Sequence, residues 1–266
     1  MYLSEINIYP VKSLGGISVE ESVVEARGLE RDRRLMLVDA ANQFISQREI
    51  AAMALIKTEV IGDGLIAACN GKSLRIPAIP DGTAVTVKVW SSSVRARVYD
   101  DETNAWFSDV LGINCRLVLM PEETKRKVNR FYAVRKNEDT VSFADGYPFL
   151  LIGQASLDDL NSRLAEPLPM NRFRPNFVVA DAEPFDEDTW KKVRIGETVF
   201  HVVKPCARCV ITTVDQTTGE KGKEPLKTLA TFRNKGGNLM FGQNLIAEKS
   251  GGTLRVGDKV EVLEAK

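Results

Sequence analysis

Over the first hundred residues, apolar and polar positions alternate in short runs: LSEINIYP, ISVEESVVEA, RLMLVDA, LIAA, VTVKVW and SVRARVYD. A two-residue period turns one face of each run inward and the other to water, so these segments are predicted strands. Gly15-Gly16, Asp63-Gly64 and Asp81-Gly82 punctuate them as turns, and the series predicts an antiparallel sheet or barrel. The period then changes. From about Asp101 to Leu111, Trp106, Val110 and Leu111 fall on one helical face, predicting a short helix that bridges two halves. The stretch PEETKRKVNRFYAVRKN, Pro121 to Asn137, has little periodicity and a cluster of Lys and Arg. It reads as an exposed loop beside a domain junction.

Strand-like runs return in RFRPNFVVA, the VRIGETVFHVV pair, VITTVD, NLIAEKS and TLRVGDKVEVLE, joined by glycine turns. Two helices interrupt them. In ASLDDLNSRL, Leu157, Leu160 and Leu164 recur at helical spacing behind Ser156, a candidate N-cap. In EPLKTLATFR, Pro225 stands early, where a missing N–H costs least. The expectation is a mainly β, α+β chain of two β-barrel-like domains, about 1–120 and 121–266, with the opening strands free to pack on the second.

Composition narrows the function classes. Apolar residues make up 44% and charged residues 27% of the 266, an ordinary globular balance. Lys plus Arg equals Asp plus Glu at 36 each, so no global field favours nucleic acid or membranes, and any anion site must be local. MYLSEINIYPVKS lacks a basic leader followed by an apolar core, and no run of about 18 apolar residues occurs; a cytoplasmic protein is expected, with a monomer as the working oligomeric state. Cys69, Cys115, Cys206 and Cys209 are too few for a disulfide framework in a chain this long.

Candidate chemistry concentrates in Lys204-Pro205-Cys206-Ala207-Arg208-Cys209. Half a zinc site is one reading, but Cys69, Cys115 and His201 supply no second closely spaced pair. A dithiol redox motif is another, and it wants a helix after the cysteines where a β-branched run stands instead. The third is a single thiolate ligand to a soft or redox-active metal, with Lys204 and Arg208 favouring the deprotonated sulfur. Spacing alone does not choose among them. Gly62-Asp63-Gly64-Leu65-Ile66-Ala67 satisfies G-x-G-x-x-A, yet no helix follows to receive a pyrophosphate, so it is a predicted hairpin turn. His201, in an alternating strand, reads as a half-buried structural residue.

KPCARCVITTVDQTTG followed by EPLKTLATFR resembles the signature of MOSC-domain proteins, the group of the mitochondrial amidoxime-reducing component and the bacterial YcbX-type proteins. YPVKS with GLERDRRLMLVD resembles the N-terminal MOSC-associated domain. SFADGYPFLL, FRPNFVVA, FGQNLIA and RVGDKVEVL match the remaining blocks in order, so the likeness spans nearly the whole chain.

The resemblance implies a molybdenum cofactor, Mo-molybdopterin, in a cleft between the two domains, with Cys209 as the metal ligand and Cys206 without an assigned role. It places Lys12, Ser13 and Arg33 on the phosphate side, and Arg174, Asn176, Arg208 and Thr213 among the cofactor contacts. Arg forks suit a phosphate, and a soft thiolate suits a metal that changes oxidation state. Asp145 in FADGYP has two readings, a proton relay beside the metal or a turn residue accepting backbone N–H bonds. The implied activity is reduction of N-hydroxylated compounds such as hydroxylaminopurines or amidoximes. A cofactor or sulfur carrier without turnover is the alternative, since related domains end cofactor sulfurases. With no flavin, nicotinamide or iron–sulfur fingerprint in the chain, electrons are expected from a separate flavoprotein reductase or ferredoxin-type donor, which Lys125 to Lys127 would attract if acidic.

Overall fold

The structure is a computed structural model that describes residues 1–266. It is mostly β, with curled sheets and three α-helices. One nine-stranded sheet runs in the order Val260–Ala265, Trp190–Ile195, Thr198–Ala207, Asn238–Ala247, Phe149–Gly153, Phe177–Ala180, Tyr2–Ile8 and Ile17–Val19, with Asn234–Lys235 paired off Asn238–Ala247. Its pairs are antiparallel except Phe149–Gly153 with Phe177–Ala180.

The first strand of the chain therefore belongs to the sheet of the second half, with Ile6 opposite Phe177. A register shift between Leu3 and Glu5 lets Leu3, Ile6 and Ile8 all face inward despite their uneven spacing. They join Phe149, Phe177, Phe200, Trp190 and Leu245 in the main core. Residues 21–29 follow the same course, because Glu21–Glu25 pairs with Thr253–Arg255 and with Gly28–Leu29.

The rest of the first half curls from two smaller sheets. One holds Leu35–Val38, Arg116–Leu119, Ser92–Val98 and Ala84–Val89; the other holds Lys57–Ile61, Gly64–Cys69 and Lys72–Ile76. The G-x-G-x-x-A segment is the predicted turn: Gly62 has φ +53° and Ile61 pairs with Gly64 across it. The helix Asp101–Leu111 forms where the sequence placed it. Asp100 accepts the Thr103 N–H at its start, and Gly112 closes it at φ +66°. Its Trp106, Phe107, Val110 and Leu111 pack against Leu35, Leu37 and Leu117.

Three expectations need correction. The helix Gln154–Ser162 is capped by Gly153, not Ser156. The Ser156 hydroxyl is drawn to Glu187, to which it donates at 2.8 Å, while it accepts the Phe185 N–H at 2.7 Å. VITTVD is not a strand, since Val210–Thr213 is a single 3-10 turn. Thr212 and Thr213 donate their hydroxyls to the carbonyls of Cys209 and Val210 at 3.0 and 2.9 Å, and this back-bonding overrides their β propensity. Within the 121–137 loop, which is otherwise largely exposed, Arg126 is buried.

Candidate functional site

The strand Thr198–Ala207 carries Cys206 out along the sheet, and the 3-10 turn then reverses the chain so that Cys209 stands at its N-cap. Both cysteines are half-buried free thiols. They face a cleft whose enclosed volume is about 130 Å³, the scale of one oxyanion head with little water at about 30 Å³ per molecule. Any larger ligand extends into its mouth. Both halves of the chain line this cleft: Lys12, Ser13 and Arg33 from the first, Asp145, Arg174, Asn176, Arg208 and Cys209 from the second. A larger cavity of about 560 Å³ lies elsewhere, and its lining includes no cysteine. The candidate site is the smaller one, which holds both cysteines.

Backbone strain marks the site. Ser13, Arg33 and Arg174 have φ of 66°, 51° and 56°, a left-handed conformation that residues with side chains rarely adopt outside places where the surroundings impose it. Tyr9 supplies part of that imposition. Its ring lies between two guanidinium groups, Arg33 and Arg174, each 4.2 Å from the centroid, and its hydroxyl donates to the Pro175 carbonyl at 3.2 Å. Burial, against the pull of both arginines, pushes the phenol up to about 12, so it stays protonated.

Arg33 is further fixed by a forked pair of bonds from Nη1 to the fully buried Asp32, at 2.9 and 2.8 Å, and by one to Asn176 at 3.2 Å. Asn176 is less free than a residue awaiting a cofactor contact would be. Its Oδ1 also accepts the Leu150 N–H and its Nδ2 donates to the Asn7 carbonyl, so it braces three segments around the cleft. Thr213 is buried behind the wall, and Thr212 lines the cleft in its place.

Asp145 meets neither of its sequence readings in the expected form. It accepts no backbone N–H; its three donors are Lys12 Nζ at 2.5 Å, Arg48 Nη2 at 3.1 Å and Trp90 Nε1 at 3.2 Å, all from the first half. Although 55% of its side-chain surface is open, Lys12 and Arg48 overcome the cost of burial and hold the carboxyl far below the usual range. A group so firmly ionised is suited to anchoring Lys12 and poorly suited to carrying protons.

Two residues that shape the candidate site carried no sequence signal. Arg48 sits over the Trp90 ring at 4.5 Å; against the cost of burial, Asp145 and then the Cys209 sulfur raise its pKa. Arg48 thus reaches the carboxylate that shares the cleft with Cys209. Arg208 instead donates to Cys206 Sγ at 3.1 Å, and Lys204 lies over Tyr132. The second residue is Arg126, whose guanidinium donates to the carbonyls of Ser142, Ala144 and Asp145 at 2.9, 2.5 and 2.7 Å and so shapes the loop that presents the carboxylate.

The donor set fits a phosphorylated ligand. Arg174 Nη2 and Arg208 Nε are buried without partners, and leaving such groups unpaired is costly. No three His, Cys, Asp or Glu side chains cluster as a chelate. A metal here would therefore rest on Cys209 and on donors brought by a bound group.

Burial lowers the Lys12 ammonium to about 8, with Asp145 opposing. Affinity for inorganic phosphate is therefore expected to fall as pH rises through about 8, and the fall should vanish in Lys12→Met; titration by calorimetry between pH 6.5 and 9.5 checks this. Stability moves the other way. Between about 8 and 10.5 the unfolded chain holds a proton that the folded one has released, so this site stabilises the fold increasingly as pH rises through that window.

Two curled β halves that close a cation-lined cleft on a pair of cysteines define a two-part cysteine-site protein. The chain belongs to the MOSC family: residues 138–261 match the MOSC domain and residues 1–114 the MOSC N-terminal beta barrel domain. It is 34% identical to the mitochondrial amidoxime-reducing component 1 of Mus musculus and 33% identical to that of Homo sapiens, in each case over 98% of this chain and 82% of the relative. It is also 33% identical to a molybdenum cofactor sulfurase of Oryza sativa, over 91% of this chain and 32% of that protein. No helix is long and apolar enough to cross a membrane.

Proposed function

We propose that this chain is a molybdenum-cofactor-dependent reductase of N-hydroxylated compounds, with Cys209 Sγ as the protein ligand to the metal. The observation that carries the reading is the convergence of Cys209 with Lys12, Ser13, Arg33, Arg174 and Arg208 on one cleft. Lys12, Arg33 and Arg174 would hold the terminal phosphate, and the unpartnered Arg174 Nη2 and Arg208 Nε are the donors still unmatched. When bound, the cofactor supplies two-electron chemistry for breaking an N–O bond. Asp145 fixes Lys12 at the phosphate side, and Arg48 holds Asp145 in turn. Overall, a hydroxylamine, two electrons and two protons give an amine and water; the electrons come from a separate flavoprotein or ferredoxin-type donor.

Coverage favours a reductase over a carrier, because the chain spans most of the amidoxime-reducing components and about a third of the sulfurases. The test is a viologen-linked assay with a hydroxylaminopurine on metal-replete protein. Reduction to the aminopurine is expected. Stoichiometric cofactor without any reduction would establish the carrier instead.

A further inference from the structure

The 125–136 segment stands beside the mouth of the cleft as a built platform. Val128 is buried with Val141, Ala144 and Ile246 at its base. The buried Asp139 accepts the N–H groups of Val134 and Arg135 at 2.7 and 2.8 Å and pairs with the Arg135 side chain, which closes the loop into a defined turn. From that base it projects Phe131, 78% exposed, with Arg130 over its ring at 5.0 Å. Lys125, Lys127, Arg130 and Lys136 are exposed, and none of them has an acidic partner within 4.0 Å. A large exposed aromatic beside Arg130, on a loop that carries three further unpaired cations, departs from the balanced charge of the chain as a whole.

The platform also connects inward. Tyr132 meets Tyr147 edge to face with centroids 5.9 Å apart, Lys204 lies over Tyr132 at 4.7 Å, and Tyr147 lines the cleft together with Cys206. One residue thus separates the basic surface from the cleft wall. A protein seated on Phe131 would stand next to Tyr132, whose ring meets the cleft-lining Tyr147.

We propose that the Lys127–Lys136 platform is the docking surface for an acidic, one-electron carrier protein, with Phe131 as its apolar anchor. This rests on the reductase reading and specifies where the donor binds. Charge steers the encounter and screening by salt weakens it, whereas a desolvated aromatic at the centre holds the complex once formed.

The test uses the full-length, metal-replete protein, a hydroxylaminopurine substrate, and three reductants in parallel: methyl viologen, a plant-type [2Fe–2S] ferredoxin and a flavodoxin. In the triple variant Lys127→Glu, Arg130→Glu, Lys136→Glu, the KM for both protein carriers should rise at least roughly tenfold, while viologen-driven turnover stays within about twofold, since a small mediator needs no docking face. Phe131→Ala should raise the carrier KM with little change in its salt dependence. In the parent protein, carrier-driven rates should fall steeply between 50 and 500 mM NaCl and viologen-driven rates should not.

Unchanged carrier KM in the triple variant overturns the proposal. So does viologen-driven turnover in the parent with neither carrier able to replace it. Charge-sensitive binding of a labelled single-stranded oligonucleotide with the carrier KM unaffected would assign the surface to nucleic acid and likewise overturn it. If viologen fails in the parent, the reductase reading itself falls, and the docking surface falls with it.

Discussion

Cys209→Ser is expected to lower N-hydroxy reduction by at least ~10³-fold, well beyond the 10–100-fold typical of partners outside a metal's ligand set. The melting midpoint should move by no more than about 2 °C, because a small substitution at a half-buried position away from the cores changes stability by only a few tenths of a kcal/mol. The contrast with Cys206→Ser is the informative part. Cys206 lines the same cleft and receives a hydrogen bond from Arg208, yet the resemblance assigns it no role at the metal. Cys206→Ser should retain most of the activity. Metal-loaded protein and the viologen assay check both variants, and comparable losses in the two would contradict a single-ligand site.

Arg126→Leu is expected to destabilise the fold by about 3 kcal/mol, since buried carbonyls stripped of their donor cost roughly 1–3 kcal/mol each and three are exposed to that loss. For a chain of this size the midpoint should drop by roughly 10 °C. Burial, opposed by Asp145, lowers the guanidinium to about 10, still far above neutrality, so the charge is intact when the group is removed. Arg126→Lys should restore only part of the loss, because an ammonium does not reproduce the fork that spans three carbonyls. The same variants should weaken phosphate binding, through a looser Asp145 and hence a less well-placed Lys12. Thermal melts of the three proteins decide this, and a midpoint for Arg126→Leu within about 2 °C of the parent would contradict it.

What was legible in the chain follows from which forces are local. The helix Asp101–Leu111 announced itself through an apolar stripe with Asp100 and Gly112 at its ends, all within one stretch of sequence. The strands of the first half were legible for the same reason, although Lys57–Ile61, Lys72–Ile76 and Arg116–Leu119 lacked strong alternation and owe their existence to neighbours in register. Where a distant group intervened, local reading failed. Ser156 was claimed by Glu187, 31 residues away, and the Thr212 and Thr213 hydroxyls converted a β-branched run into a turn.

The candidate site divides along the same line. Cys209, Lys12, Ser13, Arg33 and Arg174 came from ordered motif blocks, and the fold gathers them on one cleft. Arg48 and Arg126 lie in segments with no periodicity, SQRE and KRK, where a charged residue ordinarily faces water. Only the folded chain reveals that one reaches Asp145 and that the other shapes the loop bearing that carboxylate. Asn176 illustrates the converse. Its motif was legible, but its two polar atoms are engaged in bracing the scaffold.

The most direct measurement is the sulfur coordination number from molybdenum K-edge X-ray absorption on the cofactor-loaded parent and on Cys209→Ser. With two sulfurs supplied by the pterin dithiolene, three short-range sulfurs are expected in the parent and two in the variant. The same sulfur count in both proteins would contradict the assignment of that thiolate to the metal.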